Sequence, residues 1–363
     1  MPQATYNHKI VSGLALRKLC VALLVASRLA PDDAMVVADS LIDANLRGWD
    51  SHGVARLPHY LRRIAGGSIN PQPRIRSEVL GPSAARVNGD HGLGQLVMSH
   101  AAQRAIAMAG DTGAAWVSVA DSSHCGTLSY FARPIAQAGM IGFAFTHVDP
   151  MVVPFGASQP FCGTNPICIT APGRDAQMLC LDMATSVTPW NSIENAAIEG
   201  VPIPEGWAID NDGQGTVDPT QVNAIHPFGG YKGSGLGLMV DVLCSMLSDS
   251  PYGPDIPKMY GDLTENRRLG GLVGAIDITR FVPLARFHQR VSEMIERWRM
   301  LTPAEEGGRV LYPGEPEEIS LEKRRREGIP LGLQLVELLN EAAAAQGIAP
   351  LQAEASTSPS GEA

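Results

Sequence analysis

The chain has 363 residues, of which 45% are hydrophobic and 18% charged, a balance typical of globular proteins rather than disordered or membrane-embedded ones. Its length favours two domains. The net charge of −9 argues against nucleic acid as the main partner, because nucleic acid requires a basic surface, but it leaves room for a small anionic ligand.

Three patterns indicate the cell compartment. The longest apolar run, residues 19–26, is too short to cross a bilayer. The first residues lack the basic, apolar and small-residue order of a signal peptide. The six cysteines include no CxxC pair and no metal-finger spacing, which favours reduced thiols. We therefore expect a cytoplasmic protein without a membrane partner.

The first 65 residues are predicted to be helical. One helix follows Ser12 as its cap and runs to about Arg28. A second starts at Pro31, followed by two aspartates, and ends at Gly48. Residues 70–94 are rich in turn-forming residues and are predicted to be loop and short strand, with a domain boundary among them.

Helices and strands alternate beyond this boundary. Helices are predicted over 99–113 and 130–139, and strands over 114–120 and 140–147. This alternation is typical of an α/β layer and, taken by itself, predicts a parallel sheet. A helix over 235–247, a strand over 271–278, a helix over 285–301 and a disordered tail over 351–363 complete the prediction.

The segment SHGVARLPHY, residues 51–60, concentrates groups that handle protons or bind anions. On a helix, His52, Arg56, His59 and Tyr60 would share one face. Such clustering is typical of functional sites, although a solvated face with a satisfied histidine is the alternative for each residue singly. Pro58 predicts that the helix is kinked or begins after Ser51.

A second candidate is His124, in the loop after the strand 114–120. Open α/β sheets bind ligands at this end of their strands, whereas a polar capping loop is the alternative. The neighbouring Cys125 suggests a nucleophile or a metal ligand, but no acidic or thiolate cluster with ligand spacing surrounds it. We therefore predict no metal site.

A third candidate is the glycine-rich segment GGYKGSGLG, residues 229–237. Glycines and Lys232 at a helix start suit phosphate or carboxylate, since backbone N–H groups and an ammonium converge there; a tight turn is the alternative. The spacing matches neither a Walker A loop nor the Rossmann fingerprint. Asp149 and Asp182 end apparent strands, and each alone is an ordinary turn residue.

Eight motifs in this order carry a resemblance to a known family: SHGVARLPHY, SSHCG, PFGxxxPxxGTNPI, LDMATS, IPEGWAID, GGYKGSGLGLMVD, NRRLG and VLYPGEPE. Over roughly residues 10–335 the chain resembles the malate/L-lactate dehydrogenase superfamily outside the classical Rossmann dehydrogenases. Its motifs are most similar to those of the ureidoglycolate dehydrogenase-like members.

The resemblance implies an α/β, non-Rossmann fold with a largely antiparallel central sheet and a helical domain from both chain ends. The helical domain, 1–78 with 279–350, would contribute to the substrate pocket and to a homodimer. Residues 79–278 would bind NAD or NADP. The implied reaction moves hydride between nicotinamide and a small 2-hydroxy acid or 2-oxo acid.

The resemblance also implies roles for individual residues. His124 would accept the proton, and His52 corresponds to a histidine that some members use as donor. Substrate positions are Ser51, Arg56, Tyr60, Asp149 and Arg267, with Arg56 suited to hold a carboxylate by two bonds. Cofactor positions are Val148, Asp182, Met183, Ala184, Lys232, Gly314, Glu315 and Pro316.

Some residues depart from the family pattern. Asn191 and Ser192 follow the LDMATS motif where many relatives carry Gly-Lys, and positions 147 and 148 hold histidine and valine where ureidoglycolate dehydrogenases carry glutamine and serine. These changes leave the substrate and the choice between NAD and NADP open. The alternatives are a cyclic-imine reductase, a metal-assisted hydrolase or lyase using His52, His59 and His124, and a binding protein without catalysis.

Overall fold

The computed structural model describes residues 8–305 and 307–351. Its helices and strands are, in chain order, β1 His8–Val11, α1 Gly13–Ala26, α2 Pro31–Leu46, α3 Leu57–Gly66, β2 Arg76–Gly81, β3 Ala84–Asn88, α4 Gly94–Thr112, β4 Ala114–Ser122, α5 Ser129–Gln137, β5 Met140–Thr146, β6 Ile167–Pro172, β7 Met178–Met183, α6 Trp190–Glu199, β8 Ala208–Ile209, β9 Gly215–Thr216, β10 Ala224–Ile225, α7 Tyr231–Asp241, β11 Leu269–Asp277, α8 Leu284–Arg299, α9 Glu315–Glu327, β12 Ile329–Gly332 and α10 Leu333–Ala345. Among these described residues, no helix has the length and apolar character needed to cross a membrane.

The chain folds into two compact units. One takes the chain up to Gly66 together with the chain from Glu315 onwards, and the other is Gly67–Gly314. The first, here called the helical unit, joins the two ends of the chain: β1 pairs antiparallel with β12, α1 packs on α2, and α2 packs on α9. The helical domain from both chain ends is therefore confirmed.

The helix signals near the start of the chain are largely confirmed. Pro31 is the first residue of α2, and Asp32 and Asp33 lie in its first turn. Ser12 occupies the cap position of α1 with extended backbone angles, but its side chain makes no capping hydrogen bond. Ser12 is therefore the N-cap residue, as predicted, but its side chain does not satisfy the N–H groups of the first turn.

The second unit, here called the sheet unit, is organised around a seven-stranded sheet of order β2-β3-β4-β11-β5-β6-β7. Only the β3–β4 pair is parallel, and the other neighbours are antiparallel. The parallel sheet predicted from alternation alone is therefore wrong, and the largely antiparallel sheet implied by the resemblance is confirmed. Two of the antiparallel pairs arise because β11, which comes late in the chain, inserts between β4 and β5, and the other three join strands that are consecutive in the chain.

The core of the sheet unit lies between the sheet and the helices α4 and α5. Alternate strand residues point to this face, including Val117 and Val119 of β4 and Val273 of β11, all fully buried. On the opposite face, Phe145 and Leu272 pack against Val240 at the end of α7 and the π-helical turn that follows it. The sheet is thus covered by helices on both faces.

The predicted domain limits differ from the observed units. Helix α8 belongs to the sheet unit, where it packs on β6 and the Ser292 hydroxyl accepts a hydrogen bond from the Arg174 N–H at 2.9 Å. The division into substrate and cofactor domains stays a prediction. Of the tail 351–363, residues 352–363 lie outside the described residues, while Leu351 is buried and its N–H donates to the Asn340 side chain.

Candidate functional site

The segment 51–60 in the helical unit is not one helix. Two 3₁₀ turns, Asp50–His52 and Val54–Arg56, precede α3, which begins at Leu57. Gly53 breaks the helix between the turns with ψ near −148°, and the Asn45 side chain leaves no space for a Cβ at this position. The single helical face is therefore wrong, whereas the expectation from Pro58 that the helix begins after Ser51 is confirmed.

The turns nevertheless place three of the predicted residues in contact. The Ser51 hydroxyl lies 2.8 Å from Nδ1 of His52, and Nε of Arg56 donates to the Ser51 carbonyl oxygen at 2.5 Å. Burial of the ring and the nearby positive charge of Arg56 lower the pKa of His52 to about 4. At neutral pH His52 is therefore an uncharged imidazole beside a guanidinium, suited to orient a carboxylate rather than to supply a proton.

The turns rest on three polar residues that the sequence analysis did not single out. Asn45 on α2 accepts a hydrogen bond from the Val54 N–H at 2.8 Å and donates to the Asp50 carboxylate at 2.7 Å. Arg324 on α9 holds the same carboxylate through two hydrogen bonds. No local pattern marks these residues, because the partners come from distant parts of the chain.

The remaining predicted residues of the helical unit lie on α3 and α9. Tyr60 is only 1% exposed, and His59 beside it is buried and accepts a hydrogen bond from Nε of Arg63 at 3.1 Å. These two residues therefore belong to the interior and not to a solvated face. Glu315 is buried and Pro316 is exposed at the start of α9.

In the sheet unit, His124 lies in the loop between β4 and α5, as predicted, and is half-buried. The hydroxyl of Ser123 accepts from the Gly94 N–H and donates to the Gly92 carbonyl, both at 3.0 Å. A Cβ at Gly94 would come within 2.7 Å of the His124 carbonyl oxygen, so only glycine permits this approach. The loop is thus fixed where it leaves β4.

The other end of the His124 loop is fixed by Asp182. Its Oδ2 accepts a hydrogen bond from the Ser129 N–H, the first residue of α5, at 2.8 Å. Asp182 and Met183 end β7, and Ala184 follows them. The N–H of Cys180, also on β7, donates to the Pro313 carbonyl at 2.9 Å, which brings Gly314 beside this strand. The structure therefore groups five predicted residues around β7 and the His124 loop.

Asp149 and Arg267 form a buried ion pair with each other. Nε of Arg267 also donates to the Pro257 carbonyl at 2.9 Å, and Asp149 accepts from the Met259 N–H at 3.2 Å. Since each charge already has a charged partner, a substrate anion at Arg267 would compete with Asp149. Val148, next to Asp149, donates its N–H to the Asn165 side chain at 3.4 Å.

Helix α7 begins within the glycine-rich segment, as predicted. Gly230 is its N-cap, and no side chain caps this end by a hydrogen bond. Lys232 lies in the first turn and is exposed. The Gly233 N–H in this turn already donates to the Phe228 carbonyl at 3.0 Å. The exposed ammonium of Lys232 beside the positive end of the helix dipole nevertheless fits the phosphates of a dinucleotide, because both favour negative charge. These residues therefore fit a dinucleotide cofactor.

Comparison with known proteins decides the family. The model of the malate/L-lactate dehydrogenase family matches residues 11–340, which is most of the chain. The chain belongs to this family. The match spans every motif on which the resemblance was based, including the segment 51–60 and the glycine-rich start of α7.

Members of the family with similar sequences and structures carry several activities in their names. Ureidoglycolate dehydrogenase (NAD(+)) of Escherichia coli (strain K12) is 37% identical over 321 residues, 88% of this chain and 92% of that protein. The malate dehydrogenase structure from Pyrococcus horikoshii OT3 has a TM-score of 0.88 and 35% identity over 97% of this chain and 99% of that one. The delta1-piperideine-2-carboxylate reductase structure from Pseudomonas syringae has a TM-score of 0.83 and 28% identity over 92% and 100%.

Two other chemistries receive no support from the side chains. Burial, with a contribution from the Asp182 charge, raises the pKa of the Cys125 thiol to about 12, so it is protonated at neutral pH and a poor nucleophile. Among residues 8–305 and 307–351 no group of three or more His, Cys, Asp and Glu is placed to hold a metal ion.

Proposed function

We propose that this member of the family is a nicotinamide-dependent oxidoreductase that interconverts a small 2-hydroxy acid and its 2-oxo acid. The Ser51–His52–Arg56 group carries the proposal, because it places a guanidinium and a neutral imidazole side by side as a site for a carboxylate. Relatives named for malate and for ureidoglycolate act on acids of this class. The substrate expected here is correspondingly a small anion.

Each chain residue then has a separate task. Arg56 binds the substrate carboxylate by two hydrogen bonds, and His52 orients the acid. His124 takes the hydroxyl proton during oxidation and returns it during reduction. The bound nicotinamide supplies or accepts the hydride. The anchored ends of the His124 loop hold its backbone in place, which lets a proton acceptor act without a prior rearrangement.

The cofactor is NAD or NADP, and its main contacts are the start of α7 and Lys232. The E. coli relative is named for NAD(+), which favours NAD without deciding the choice for this chain. The other proposed cofactor contacts are Val148, Asp182, Met183, Ala184, Gly314, Glu315 and Pro316. Asp182 would contact the cofactor through the carboxylate that also accepts the Ser129 N–H.

The homodimer implied by the resemblance is also proposed. Helix α7 and the turn after it expose apolar side chains that a second copy could cover, namely Leu236, Leu238, Met239, Met246 and Leu247. Sedimentation equilibrium would return twice the mass of one chain if the proposal holds. The cytoplasmic location stays a prediction.

A cyclic-imine reductase is the second candidate, and the similarity to the piperideine-carboxylate reductase structure favours it. Such an enzyme would use the same cofactor and carboxylate site but deliver the proton to nitrogen. The test is a panel of 2-oxo acids and cyclic imino acids, each with NADH and NADPH, followed by nicotinamide absorbance. Turnover of a 2-oxo acid supports the proposal, and turnover of imines alone supports the reductase. Turnover abolished by a chelator would instead favour the metal-assisted alternative.

A further inference from the structure

The sheet unit contains a buried polar pair that none of the assigned roles uses. His147 follows β5 and is 0% exposed, and Asp241 ends α7 and is 2% exposed. Nδ1 of His147 lies 2.9 Å from Oδ1 of Asp241. Burying two such groups is costly unless each is fully hydrogen-bonded, so their placement calls for a reason.

The other ring nitrogen of His147 shows which tautomer is present. Nε2 accepts a hydrogen bond from the Gly270 N–H at 2.8 Å, so the proton resides on Nδ1 and is donated to Asp241. The ladder register between β11 and β4 shifts between Leu269 and Gly271, which is the signature of a bulge. His147 therefore makes two hydrogen bonds at once. One is to the Gly270 N–H at the bulge of β11, and the other is to the Asp241 carboxylate at the end of α7.

A second bridge acts on the same helix. Asn165 is fully buried, donates through Nδ2 to the Gly237 carbonyl of α7 at 2.9 Å, and accepts through Oδ1 from the Val148 N–H. The hydrogen bonds from Asn165 and His147 reach α7 at Gly237 and Asp241, which are one helical turn apart. Two fixed points on a rigid helix define both its rotation and its position along its axis.

We propose that His147 and Asp241 are positioning residues that fix the glycine-rich start of α7 relative to Val148, and so set the affinity for the dinucleotide. The inference rests on the proposed function, which assigns Lys232 and Val148 to the cofactor. The pair acts through α7 and touches no reacting atom.

The test combines substitutions that break the pair with ones that preserve its hydrogen bonds. His147→Leu removes both bonds, whereas His147→Gln offers an amide oxygen to Gly270 and an amide N–H to Asp241. Asp241→Asn keeps an acceptor for Nδ1 without the charge. Val117→Ala is the matched control, because it destabilises the same sheet on the face away from α7. The readouts are hydrogen exchange of the amides 233–241 and the dissociation constant for NADH or NADPH.

We expect His147→Leu to accelerate exchange along α7 and to weaken dinucleotide binding at least about tenfold, since a buried donor and a carboxylate lose their partner. His147→Gln and Asp241→Asn should restore both readouts, and Val117→Ala should change neither. If His147→Leu does not fold, Asp241→Ala serves the same comparison, because it removes the carboxylate that accepts from Nδ1 of His147.

The proposal is overturned if the breaking variant lowers the melting temperature as Val117→Ala does but keeps wild-type α7 exchange and dinucleotide affinity. Failure of the proposed function gives a different result. In that case the wild-type chain binds no dinucleotide, while the exchange data still decide whether the pair fixes α7.

Discussion

Asp50 and Arg324 form a two-point ion pair across 274 residues of sequence, with Nη1–Oδ1 at 2.7 Å and Nη2–Oδ2 at 2.9 Å. Asp50 opens the 3₁₀ turn that carries Ser51 and His52, so helix α9 directly supports the proposed carboxylate site. The guanidinium fork matches the carboxylate geometry, which an ammonium cannot reproduce.

Arg324→Lys should therefore raise KM for the acid by about tenfold, because an ammonium cannot keep both hydrogen bonds that the guanidinium donates to the Asp50 carboxylate. Dinucleotide affinity should change little. Steady-state kinetics and cofactor titration measure the two effects. Arg325→Lys is the control, since Arg325 is exposed on the same helix. Equal kinetics for both variants would show that the ion pair does not support the site.

Arg56→Lys should raise KM for the acid far more than it changes cofactor affinity. Lysine keeps the positive charge but loses the two parallel donors that fit a carboxylate. It also loses the bond that Nε of Arg56 donates to the Ser51 carbonyl. A fall in cofactor affinity with an unchanged KM for the acid would mean that Arg56 faces the dinucleotide instead.

The two candidate histidines should differ in their effect on turnover. His124→Ala should lower kcat by about 10²–10⁴-fold, the usual contribution of a general acid–base, with dinucleotide binding kept. His52→Ala should mainly raise KM, because a histidine with a pKa of about 4 is uncharged at neutral pH and is a weak proton donor. Kinetics of both variants should also be measured across pH. The limb of the pH–rate profile that reports the general base should disappear only in His124→Ala. The assignment is reversed if His52→Ala abolishes turnover and His124→Ala keeps most of it.

The lowered pKa of His52 also predicts how stability depends on pH. Between pH 4 and 6.5 the unfolded chain binds a proton at His52 that the folded chain excludes, so the free energy of unfolding falls as pH decreases through this window. A shift of this size corresponds to about 3 kcal/mol in the free energy of unfolding. This stability is present above pH 6.5 and is lost as the pH falls to about 4. Denaturant unfolding of the wild type and of His52→Gln should show this slope only in the wild type. The same slope in both would assign it to other groups.

The sequence predicted the fold better through its motifs than through its periodicity. Alternating helices and strands predict an α/β layer, but periodicity carries no information on strand direction, and the insertion of β11 between β4 and β5 is a long-range event. Helix α1 was predictable from Ser12 at its N-cap, and α2 from the proline and aspartates of its first turn and the glycine after its end.

The candidate site was only partly predictable. The position of His124 after a strand and the glycine-rich start of α7 follow from local pattern. The single helical face over 51–60 was wrong because Gly53 interrupts it, and the spacing of side chains does not reveal a break in backbone angles. The supports of the site could not be predicted, since Asn45, Arg324 and Asp241 acquire their roles from partners brought near by folding.

We expect the chain to bind a nicotinamide dinucleotide and to use it to interconvert a hydroxy acid and an oxo acid. Calorimetric titration with NAD⁺, NADH, NADP⁺ and NADPH tests it most directly. At least one of them should bind saturably, and Lys232→Ala should weaken that binding because the ammonium at the start of α7 is lost. If none of the four dinucleotides binds the folded wild-type chain, the protein is not a nicotinamide-dependent oxidoreductase.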